Sequence, residues 1–370
     1  MLSNRKGGYF NKLFYISLIL FLYSISILVF ALINTDFAEW YCRGISSFFR
    51  WVFSFLTGFV SFSVVEIFLF LFPFLVFYIV YKVIKCIDKG VFAWKYFFKA
   101  TLIIVFIASF VFINNFAVCY FRRPVEENLN VNKKPLSREE LYKATDFLNN
   151  ELEVSLNSIE FSKDGSSVNP HSWSQMDKLI DNGYKKLYQK DKFVSMIHSM
   201  PKKIILSPIM TYTHISGVYM PFTGEANINT NYPDYVVAYT VAHEKAHQRG
   251  IANEDEANFV AFLAMLESGD EYLRYSALMN MYDYFLDSAY KYDKELYYHF
   301  MDNTNDTIKG EMYSYYTFFK KYSDSKASEV ADAVNDSYLK SMGDKDGVES
   351  YGKVVELFAA YISKNKGLPG

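Results

Sequence analysis

The sequence predicts an α+β fold, mostly helical, in which three amino-terminal transmembrane helices precede a water-facing domain with a small β-sheet. Three observations carry that expectation. The first third holds apolar runs of membrane length, the charge is concentrated in the rest, and residues 203–231 are rich in β-branched residues, Gly and Pro amid long helical periodicities.

Residues 1–120 contain ten Lys or Arg and four acids, so residues 121–370 carry a net charge of −8 within a chain total of −2. An acidic polar part lacks the basic face that would release counterions from phosphates, which excludes nucleic acid as a partner. Cys42, Cys86 and Cys119 all lie in the apolar third. The polar part is therefore neither a disulfide scaffold nor a thiolate zinc site.

The uncharged run 13–34 is long enough to cross about 30 Å of hydrocarbon at about 1.5 Å per residue. It is too long for the apolar core of a signal peptide and has no clear cleavage site, so it reads as a retained anchor. Two more spans are expected at 63–83 and 100–118, which closes a membrane domain at about residue 123 and leaves 124–370 as a separate domain. Between the first two, the aromatic crowding around Arg50 in 46–60 reads as an interfacial or re-entrant piece. Glu66 is either an intramembrane proton or ion site or a hydrated group near the interface. Basic residues cluster at Arg5, Lys6 and Lys12 and again at Lys82, Lys85, Lys89, Lys95 and Lys99, against Arg43 and Arg50 between them. That bias predicts a multi-pass protein of the cell membrane with a cytoplasmic amino terminus and an extracytoplasmic domain.

In the polar part, Ser137 and Glu140 have capping-box spacing, which predicts a helix to about Glu153, and Trp173 to about Gln189 reads as another. Two or three short strands follow in 203–231. Helical periodicity then resumes to the end, with breaks near Asn253, Gly269, Asn303 to Asn305, Ser323 to Ser325 and Gly343.

The chemistry is concentrated in VVAYTVAHEKAHQRGIANEDEANFVAFLAM, residues 236–265. His243 and His247 are four apart and share one helix face, so both imidazoles can grip one ion while Glu244 turns toward a water beside it. Gly250 suits a left-handed cap that reverses the chain. Zinc with two imidazoles needs a third protein ligand to leave one position open. Asn253 and Glu256 have the spacing of cap and capping partner, which gives Glu256 a structural task. Glu254 shares a face with Asn258 and is the preferred ligand, with Glu256 the alternative and Glu267 a more distant one.

HEKAH followed by NEDEAN resembles the gluzincin zinc metallopeptidases. The resemblance implies a zincin-like domain, metal ligands at His243, His247 and Glu254, Glu244 as general base, and Asn258, where many gluzincins have Asp, as the partner orienting a ligand. Amino-terminal spans followed by HEKAHQRG and EDEANF resemble a family of bacterial membrane-anchored proteins classed with the gluzincin-type peptidases. The likeness covers most of the chain, but its specific motifs cover only about 204–276, and it carries no substrate.

The expected cofactor is thus Zn2+, the expected reaction peptide hydrolysis, and the expected partners a peptide or protein substrate and the lipid bilayer. Tyr275 and Tyr351 are candidates to meet the oxyanion, although among 31 tyrosines core packing is the more ordinary role for either. His214 reads as a satisfied histidine. Gly217 to Met220, or Glu225 to Asn229, could offer a sheet edge to a peptide, and Glu225 could anchor a substrate amine. HExxH lies in a polar domain, which excludes an intramembrane protease. The alternative function is a catalytically silent zinc-binding receptor or scaffold.

Overall fold

The computed structural model describes residues 2–87, 91–323, 325–341 and 353–369. Gly343 and Tyr351 lie outside the described residues. The chain is α+β and mostly helical, and it divides into two units, Met1–Arg122 with Met220–Gly224, and Arg123–Tyr219 with Glu225–Gly370. The boundary falls one residue before the expected one, and the turn 220–224 groups with the first unit.

In the first unit, α1 (Leu2–Ile33), α4 (Val64–Ile87) and α5 (Val91–Asn115) are long and apolar enough to cross a membrane, over Tyr9–Ile33, Val64–Lys85 and Trp94–Asn115. The third stretch starts before the expected residue 100. Lys99 is accommodated inside the helix because its Nζ lies over the Phe14 ring, 4.6 Å from the centroid, and donates to Asn11 Oδ1 at 2.7 Å. Asn114 donates to Ser24 at 2.8 Å, and Phe106 stacks on Phe21 at 4.8 Å. Partner numbers rise together, so α1 and α5 run parallel. Glu66 sits in the first turn of α4, where its N–H reaches Ser63 Oγ at 3.2 Å.

The region after α1 is α2 (Thr35–Tyr41), a π-turn Cys42–Ser46 and α3 (Ser47–Gly58). Arg50 faces inward and is fully buried. Its guanidinium donates to Cys42 O at 2.9 Å, Ser46 Oγ at 2.7 Å and Asn115 O at 3.0 Å. Cys42 and Cys119 form a disulfide that the sequence did not announce. Beside it, Arg122 grips Glu39 with two bonds at 2.8 and 2.9 Å.

In the second unit the one-turn α6 (Val125–Asn128) leads to α7 (Arg138–Ser155), which begins with the expected Ser137/Glu140 capping box. Helix α8 (Trp173–Asp191) begins with a second one, Ser172/Gln175. Three short strands follow, β1 (Lys202–Lys203), β2 (Gly217–Met220) and β3 (Glu225–Ile228), with the one-turn α9 (Ser207–Met210) after β1. β3 is central and runs parallel to β1, Lys202 opposite Asn227. The remaining helices are α10 (Asp234–Gln248), α11 (Glu254–Ser268), α12 (Glu271–Tyr292), α13 (Lys294–Asn303), α14 (Asp306–Phe319), α15 (Lys326–Ser341) and α16 (Val354–Asn365). The break at Asp293 was not expected. Its side chain caps α13 by accepting from Glu295 N at 2.9 Å.

The core lies among α7, α8, α10, α11, α12 and α16. Helices α8 and α11 touch so closely at Gly183 that a Cβ there would fall 1.8 Å from Ala264 O. Only glycine fits that crossing.

Candidate metal centre

Helix α10 approaches through Val237, Ala238, Val241 and Ala242, all buried. It ends in a Schellman motif: Ile251 N–H reaches Ala246 O at 3.1 Å, Gly250 N–H reaches His247 O at 3.0 Å, and Gly250 takes φ 88°. The reversal turns the Ile251 carbonyl back onto His247, which donates its Nδ1–H at 2.8 Å. A carbonyl only accepts, so Nδ1 carries a proton and Nε2 is the ring nitrogen turned toward His243 and Glu254.

The reversal also aims α11 at the same place. His243 Nε2 and His247 Nε2 lie 3.0 Å apart, and Glu254 Oε2 lies 3.2 Å from the first and 3.5 Å from the second. Two ligand atoms on a tetrahedral ion at about 2.0–2.1 Å stand about 3.3 Å apart, so these three donors have the spacing of one such site. His243 Nδ1 is buried without a hydrogen-bond partner among the described residues. The donor set, two imidazoles and a carboxylate, fits zinc or a similar divalent cation.

The charges respond to this crowding. Against the cost of burial, the facing His247 and His243 rings hold the Glu254 carboxyl well below the usual carboxylate range. Burial alone would lower His247, but Glu254 opposite raises it to about 9. Glu244 is buried next to these three donors, and burial pushes its carboxyl up against the pull of both imidazoles. It also accepts the backbone N–H of Tyr219 in β2.

Helix α10 is fixed from behind by two buried cations. Lys245 Nζ sits between Asp177 and Asp181, the latter at 2.7 Å, and Arg249 reaches Asp181 at 2.6 Å and Ile197 O at 2.7 Å. Tyr184 beneath the Arg249 guanidinium donates to Ala242 O at 2.6 Å.

The other expected site residues fall in different places. Glu256 accepts from Val125 N at 2.8 Å and from Asn253 Nδ2 at 3.4 Å, and Asn253 caps α11 without a side-chain bond to its backbone. The Glu256 carboxylate thus ties the entry of the unit to α11. Glu267 pairs with Lys190 on α8. Asn258 accepts from Tyr239 through its backbone O at 2.8 Å, and its Nδ2 has no partner among the described residues. Hence the structure does not make the expected bond from Asn258 to a ligand ring. Tyr275 is fully buried, donates to Glu311 at 2.8 Å and meets Phe161 edge-on. It belongs to the core and not to the ligand group. His214 gives Nε2–H to Tyr322 O at 2.9 Å, and Glu225 is fully buried in β3 near Lys202.

One residue was hidden by the 31 tyrosines of the chain. Tyr284 lies nine residues after Tyr275, half a turn out of phase at about 100° per residue, so it faces the other way. Its hydroxyl is pushed up by burial and then by the Glu254 charge, and Asn258 lies beside it.

No curated protein and no solved structure matches the chain. A family model, described as a protein of unknown function (DUF3810), matches residues 41–359. By that match over most of its length, the chain belongs to the DUF3810 family.

Proposed function

We propose that the protein is a membrane-anchored zinc metallopeptidase, with His243, His247 and Glu254 as ligands and Glu244 as general base. The observation that carries this reading is the spacing of 3.0–3.5 Å among the three ligand atoms with a buried carboxylate beside them. The resemblance of HEKAH and NEDEAN to the gluzincins supports it.

A zinc ion held there supplies Lewis acidity toward a carbonyl and acidifies water. Glu244 takes the proton of the attacking water and returns it to the leaving amine; burial raises its carboxyl, which favours holding the proton between the two transfers. Tyr284, kept protonated by burial and by Glu254, is a hydrogen-bond donor for the developing oxyanion. His247 is steered by Ile251 O, and Glu254 is held ionised by the rings it faces.

The domain is assigned to the extracytoplasmic side. The basic clusters support that side, and so does the Cys42–Cys119 disulfide, which joins the segments that follow the first and third spans.

The test is metal content and peptide-library cleavage for the full chain and for Glu244→Gln. About one zinc per chain in both, with cleavage by the unsubstituted protein alone, is the expected result. Zinc without cleavage in either would turn the assignment to a silent receptor or scaffold.

A further inference from the structure

From Ile204 to Gly224 the chain carries no Asp, Glu, Lys or Arg, although 64 of residues 121–370 are charged. Within that stretch, α9 and the 3-10 turn Thr211–Thr213 have their polarity inverted. Ser207 and Thr211 are buried, with Ser207 Oγ on Ile204 O at 2.6 Å and Thr211 Oγ1 on Ser207 O at 2.9 Å. Ile205 is 76% exposed, Ile209 66% and Tyr212 48%. Ile205 precedes the cap of α9, Ile209 lies in its single turn and Tyr212 in the 3-10 turn that follows, so the exposed apolar side chains run through the whole segment. A water-facing helix would turn the hydroxyls out and the isoleucines in. Each large apolar side chain left in water forgoes the stabilisation that burial would bring.

Covalent connection says what covers this face. The turn Met220–Gly224 groups with the membrane helices: Phe222 stacks on Phe112 at 6.2 Å, and Asn115 donates to Pro221 O. Phe112 and Asn115 form the last turn of the span Trp94–Asn115. Met220 lies five residues beyond Ile215, about 17 Å at full extension. The uncharged patch is therefore leashed within a short reach of the end of a spanning helix. Exposed Lys203 precedes it and suits anionic headgroups.

We infer that residues 205–215 insert their apolar face into the headgroup–acyl boundary of the bilayer at the carboxyl end of the third span. A lipid surface answers every feature of the patch: the inverted polarity, the missing charge and the short leash. The contact needs no catalysis, so it stands apart from the peptidase reading. It would hold β2, which begins two residues beyond Ile215, close to the membrane surface.

The test uses the full chain with Cys86→Ser, one molecule per nanodisc of phosphatidylcholine and phosphatidylglycerol. An environment-sensitive fluorophore is placed at Ile209→Cys or Tyr212→Cys, with exposed Val154→Cys and Tyr313→Cys as controls. The expected result is a blue-shifted emission at 209 and 212 that falls by about half when the lipid chains carry bromine near the headgroup, with little change at 154 and 313. Emission at 209 and 212 as water-like as the controls would overturn the inference. So would a blue shift that bromine leaves untouched, since a protein would then be the cover.

Discussion

Gly217 presses against Glu244: a Cβ on the glycine would fall 2.7 Å from Oε1 and 2.8 Å from Cγ of the glutamate, and 2.5 Å from Thr240 Cγ2. The strand can pass over the candidate base only because it has no side chain there. Gly217→Ala should therefore displace the Glu244 carboxylate and leave the ligands in place. Cleavage is expected to fall about 10- to 100-fold with zinc content unchanged, because a misplacement of about 1 Å in a reacting group costs on that order. Loss of zinc in parallel with activity would show that the glycine serves the fold and not the base.

Lys245 fills the space between Asp177 and Asp181 with its side chain fully buried. Lys245→Met leaves two carboxylates facing each other in the interior and should cost about 3–5 kcal/mol. A denaturant titration would show it, and Lys245→Met with Asp177→Asn should regain part of the loss. A neutral single substitution would mean that Arg249 and apolar packing hold α10 without Lys245.

These outcomes mark what was legible in the sequence. The His243/His247 face, the Gly250 cap and the Ser137 capping box are local patterns, so their residues could be read directly. Glu254 stands beside the two imidazoles, as cap spacing suggests, but the capping box expected of Glu256 does not form: Asn253 makes no side-chain cap bond, and Glu256 accepts from Val125 N instead. What the sequence hid depends on partners far along the chain. The Cys42–Cys119 bond spans 77 residues. Tyr284 and Tyr275 differ only in which side of α12 meets Glu254 or Glu311. Glu311 has no motif, and it is recognised only once Ser167 N and the Tyr275 hydroxyl are seen to converge on it.

Burial, and then the charge of Glu311, raise Asp283 to about 7 from an ordinary 3.8. The folded state thus prefers the protonated acid. That contribution is fully present below about pH 4 and is lost as pH rises through 7, because there the unfolded chain binds fewer protons than the native one. Asp283→Asn should unfold less readily than the unsubstituted protein at pH 8, by about 1–2 kcal/mol, and the two should converge near pH 4. An advantage that persists unchanged at pH 4 would assign it to packing.

The disulfide tests the side of the membrane. Protein from intact cells, alkylated without reduction, should show modification at Cys86 alone, and at Cys42 and Cys119 only after reduction. Modification of all three without reduction would place both segments in a reducing compartment.

The most direct measurement of the central claim is a titration of metal-free full-length protein with cobalt(II), followed by its visible absorption. The account predicts one equivalent bound with the intense bands of a tetrahedral site, bands lost in His247→Ala and Glu254→Gln and retained in Glu256→Gln. Bands that survive Glu254→Gln and vanish in Glu256→Gln, or no bands in the unsubstituted protein, would contradict it.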